Sequence, residues 1–70
     1  MDLAPHRKLI ATVRHALGYA ESYMGADEQI GCVRLALKWE AHHLNRIGLY
    51  TRAQRFFDAA DALEALGRGE

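Results

Sequence analysis

The stretch DEQIGCVRLALKWEAHHLNRI, residues 27–47, decides the fold. Wound at about 100° per residue, it lays Ile30, Val33, Leu37, Ala41 and Leu44 along one stripe of a helix. Cys32, Leu35, Ala36 and Trp39 widen that stripe until roughly two-thirds of the circumference reads as buried. Gly31, Arg34, Lys38, His42 and Asn45 remain as the expected solvent face. A helix on a domain surface needs an apolar arc of only about 100°. The excess implies that this helix is central to its domain, or that it also covers a second chain.

Outward from this segment, the pattern predicts two more helices, over about 3–24 and 51–66, beside the one at 27–47. In the first, Leu9, Val13, Ala16, Leu17, Ala20 and Met24 form an inner stripe, with Ile10 on one edge and Tyr19 and Tyr23 on the other. Asp2 is placed to cap it, and Pro5 is tolerable in the first turn, where its missing N–H would be unpaired anyway. Gly25 is the expected left-handed stop and Asp27 the expected cap of the second helix. Gly31 weakens that helix by about 1 kcal/mol relative to Ala and offers a smooth surface for another helix to approach. Gly48 repeats the stop, and Thr51-Arg-Ala-Gln54 matches the capping box that opens a helix. The third helix carries Ala53, Phe56, Ala60 and Leu63 with Ala59 and Leu66 beside them, and Gly67 ends it. Short connections make successive helices antiparallel neighbours. The expected fold is therefore all-α, an up-down-up three-helix bundle spanning residues 1–70 as one domain, with the second helix central.

At 70 residues, a single core is only marginally sufficient, so the missing stability is expected from idealised helix packing or from oligomerisation. An apolar content of 50% excludes simple disorder. Nine basic residues balance nine acidic ones, which removes any bulk attraction to nucleic acid or anionic membrane and does little to keep copies apart. One cysteine permits no intrachain disulfide and no structural zinc set. No run approaches the roughly 18–20 apolar residues of a membrane span. The N-terminal stretch lacks the pattern of a secretory signal, and the expected setting is the cytoplasm.

Two polar residues interrupt the apolar arc. Glu40 and His43 form a Glu-x-x-His step, the element that di-iron carboxylate bundles use in pairs together with further glutamates. This chain has one such step, and neither a metal nor a cofactor is expected. Glu40 is read instead as part of a polar pair, or as reaching Arg14, Arg52 or Arg55 across an interface, because a buried charge must find a partner. His42 and His43 diverge by about 100° and cannot jointly grip a metal. Cys32 has no histidine one helical turn away to serve as a base and reads as a small hydrophobe. With no catalytic set assembled, the chain is not expected to be an enzyme.

The segment 41–57 echoes a helix-turn-helix: a helix stops at Gly48, an apolar residue follows, and a new helix opens with Arg52, Gln54 and Arg55, which are able to read base edges. Asp58, Asp61 and Glu64 follow on the same helix and would repel phosphates. Ala53, Phe57 and Ala60 resemble the small–aromatic–small spacing of the second helix of a tetratricopeptide repeat, over half of one repeat. Glu40 and Leu44 depart from that family's first helix, and no period of about 34 residues recurs, so the family is not assigned.

The remaining signal is aromatic. Tryptophan and tyrosine combine large apolar area with a polar tip and anchor interfaces. Trp39, Leu35 and Cys32 form the flank left over once two neighbours cover the main stripe. Glu40 and His43 lie at its seam, and Tyr19 and Tyr23 form an edge on the first helix. The expectation is a small protein-binding module, acting as regulator, inhibitor, chaperone or adaptor of a larger protein and homodimeric through the second helix. A DNA-binding regulator using Arg52, Gln54 and Arg55 is the alternative.

Overall fold

The computed structural model describes residues 4–67 and 69, and among them the chain is all helix. A short 3-10 turn, Ala4–His6, leads into α1 (Arg7–Tyr23), followed by α2 (Ala26–Arg46) and α3 (Tyr50–Gly67). The expected cap Asp2 and the expected start at Leu3 lie outside the described residues. The α-helix proper begins at Arg7, after the 3-10 turn that contains Pro5.

The two glycine stops behave differently. Gly25 does not take the left-handed conformation; Met24 and Gly25 are both extended, and Gly25 itself precedes α2. Asp27 is consequently not the cap but sits in the first turn with Glu28, where negative charge favours a helix N-terminus by about 0.3–1 kcal/mol each. The Gln29 side-chain amide donates to the Met24 carbonyl at 3.2 Å and ties the connection down. Gly48 does adopt positive φ, at 85°. Its N–H donates to the Asn45 carbonyl at 3.1 Å, and the Leu49 N–H donates to the Leu44 carbonyl at 2.9 Å. These are the two bonds of a Schellman turn. Directly afterwards α3 opens two residues earlier than the capping box requires. Thr51 lies inside the first turn, and the Gln54 amide donates to Asp58 Oδ1 at 2.9 Å instead of returning to a cap.

Helix α2 packs against both others. Val33, Leu37, Ala41 and Leu44 are buried, facing Ala53, Phe56 and Ala60 of α3 and Ala16 of α1 in one cluster. Leu9, Val13, Ala36, Phe57, Ala59 and Leu63 close its margins. Leu17 and Leu66, expected inside, are exposed: Leu17 lies beside the contact that Ala16 and Ala20 make, and Leu66 lies in the last turn of α3, beyond Ala60. Gly31 is also not a point of close approach: a Cβ built there meets nothing, whereas one built on Gly67 would touch Ile30 Cγ2 at 3.5 Å.

Two glycine substitutions should move stability in opposite directions. Gly18 lies mid-helix with open space around its Cβ position, so Gly18→Ala is expected to add about 1 kcal/mol, or roughly 4–8 °C in Tm. Gly48→Ala places a side chain at positive φ and is expected to cost about 1–2 kcal/mol. Thermal melts of both variants check this, and shifts of the same sign would contradict the assigned turn.

Candidate interaction surface

The core stripe fixes which sides of α2 are covered. On one side α3 lies against Ile30 and Arg34; the Arg34 guanidinium approaches Glu64 at 3.9 Å, and the His42 ring meets Phe57 edge-on at 5.2 Å between centroids. On the other side α1 lies against Ala36 and Glu40, with Lys8 Nζ 3.6 Å from Glu40 Oε1. After Ala26 and Asp27 at its exposed start, the residues of α2 left facing outward are Glu28, Leu35, Trp39, His42, His43 and Arg46, with Cys32 half-buried beside them.

The expected solvent face is thereby corrected. Gly31, Arg34, Lys38 and Asn45 are half-buried, and of that set only His42 is exposed. The aliphatic stems of arginine and lysine can lie along a neighbouring helix while their charged ends reach water. The surface opposite the core instead carries Trp39, 80% exposed, and Leu35, 64% exposed, one helical turn apart. An indole left this open forgoes roughly 1.5–3 kcal/mol or more of burial.

The other expected members of the surface distribute as follows. Glu40 is largely covered and, within its own chain, takes Lys8 as its ion-pair partner, not His43. Cys32 is a free, half-buried thiol. Tyr19 and Tyr23 are exposed on α1 and stack on each other, with centroids 4.9 Å apart and planes tilted by 43°. Ile47, Leu49 and Tyr50 form a further exposed apolar group at the α2–α3 turn, which the reading of residues as helix faces missed. Its signal was present as three large apolar residues surrounding a helix-stopping glycine.

Arg52 and Arg55 line a groove with Ala4, Arg7, Lys8, Leu9 and Phe56, so four basic side chains stand around an apolar patch. Gln54 does not join them; its amide is engaged with Asp58. Among the described residues no three His, Cys, Asp or Glu side chains come close enough to hold a metal ion, and no helix is long and apolar enough to cross a membrane. No family model matches the chain, and neither the curated proteins nor the solved structures contain a match to it.

The Lys8–Glu40 pair joins a mostly exposed ammonium to a mostly covered carboxylate, and solvent screening holds such pairs to about 0–1 kcal/mol. A double-mutant cycle with Lys8→Met and Glu40→Gln should return a coupling of that size that fades in 1 M salt. A coupling of several kcal/mol, unchanged by salt, would show that Glu40 has a different partner.

Proposed function

We propose that this chain is a small protein-binding module, a regulator, inhibitor, chaperone or adaptor of a larger protein, without catalysis of its own. The observation that carries this reading is the exposure of Trp39 and Leu35 on the side of α2 opposite the core. Large apolar side chains scattered singly are ordinary on a protein surface. Here a tryptophan and a leucine adjoin on one rigid helix, in the residue types that anchor interfaces. The three helices run up-down-up in this reading. It is supported by Arg34 in the first half of α2 reaching Glu64 near the end of α3, and by Lys8 at the start of α1 reaching Glu40 late in α2. The chain dimerises through α2, and the dimer is the form that engages the larger protein. A cytoplasmic setting accords with the single unpaired cysteine.

The test is retention of a target from lysate of the native cell by the immobilised chain, with Leu35→Asp run in parallel and bound proteins identified by mass spectrometry. A larger protein held by the wild type and lost by the variant, at unchanged helicity, is the expected result. Equal retention by both, or none by either, would overturn the reading.

A second reading has its own observation. Arg52 and Arg55 share their groove with Arg7 and with Lys8, whose charge Glu40 partly offsets, so basic side chains are concentrated there although the total is neutral. That favours contact with phosphates, in a DNA-binding regulator that grips the backbone without Gln54 reading a base. Random-sequence duplex DNA should then be retained at low salt and released steeply as salt rises. Absence of retention at low salt disposes of this alternative.

A further inference from the structure

The outward face of α2 has an order that exposure alone does not express. Glu28, Cys32, Leu35, Trp39, His42 and Arg46 follow one another at alternating steps of four and three residues. This is the spacing of a coiled-coil seam, in which the contacting positions recur every 3.5 residues on average. All six lie on the uncovered side: Cys32 is half-buried and the other five are exposed. The strip is also symmetric in position about the level of Leu37. Leu35 and Trp39 flank that level, Cys32 and His42 come next, and Glu28 and Arg46 stand at the two ends, roughly 27 Å apart at 1.5 Å per residue. Among the described residues neither Glu28 nor Arg46 has an ion-pair partner in its own chain.

From this we infer that the occupant of the flank is a second copy of the chain, with the two α2 helices crossing antiparallel about a two-fold axis at the level of Leu37. The inference rests on the reading of Leu35 and Trp39 as an interaction surface and specifies what covers it. In that register Leu35 of each copy packs on Trp39 of the other, and Cys32 faces His42. Glu28 of each copy meets Arg46 of the other, so both ends of the seam close with opposite charges. A parallel pairing would set Glu28 on Glu28 and Arg46 on Arg46, two repulsive contacts that select against it. An antiparallel two-fold contact also closes on itself, leaving no complementary patch for further copies.

Charge exchange at the two ends tests the register. Glu28→Arg alone places two arginines at each end of the seam, and Arg46→Glu alone places two glutamates there. Each is expected to weaken self-association at low salt by at least about tenfold in sedimentation. An equimolar mixture of the two variants should recover pairing as a heterodimer, because every end again joins opposite charges. The doubly exchanged chain should recover homodimerisation although it carries both unfavourable helix-end charges, which separates pairing from any loss of helix stability. Trp39 is the sole tryptophan, so a blue shift of its emission reports the same pairing independently. Self-association of the single variants at wild-type strength, or a mixture that stays unpaired, would overturn the antiparallel register. If Leu35→Asp abolished the dimer in that case, the flank would stand as the surface and only its register would fall. A wild type that is monomeric at all concentrations would overturn the second copy as occupant, while target retention would still judge the protein-binding reading by itself.

Discussion

The fold depends on the close approach of helices through alanine. Leu37 is the largest side chain shut completely away, and around it Ala41, Ala53 and Ala60 are also wholly covered. Small residues at these crossings let α3 lie near the backbone of α2, and Ala16 and Ala20 do the same for α1. Once both neighbours have settled into the stripe, their bulk takes the two flanks of α2 as well. The polar flank toward α3 is half-covered for that reason, and the strip directly opposite Leu37 is all that remains in water. Exposure of Trp39 is thus a consequence of where two small-residue contacts place their helices.

Much of this was legible in the sequence. The helical spacing of Val33, Leu37, Ala41 and Leu44 identified the central helix and its inner face, and all four are buried. The leftover flank of Leu35 and Trp39 followed from the same projection. What periodicity does not carry is the angle at which neighbours sit around a stripe. Polarity pointed to Arg34, Lys38 and Asn45 as the wet side, yet long charged side chains serve well at the margin of a helix contact, where stems are covered and tips are not.

Inter-helix register was hidden for a similar reason. Glu40 announced its need for a counter-charge, but the lysine that supplies it lies on α1, far away in sequence, and only the packed pair of helices brings it near. The glycines teach the same lesson at short range. Gly25 and Gly48 both follow a helix, yet only Gly48 is left-handed. The difference is what comes next: α2 starts immediately after Gly25 from extended backbone, whereas the chain after Gly48 runs through Leu49, whose N–H returns to Leu44.

The hydrogen-bonded turn at Gly48 also divides the molecule mechanically. It joins α2 and α3 through a short, closed connection, and these two helices share most of the buried side chains. Helix α1 adds only two buried residues, both alanines, and is joined to α2 through extended backbone. Cooperative units of a protein open in order of how much apolar surface holds them. The molecule is accordingly a closely packed α2–α3 pair with a more weakly held α1, and amide exchange in α1 will be governed by partial openings that leave the α2–α3 pair intact.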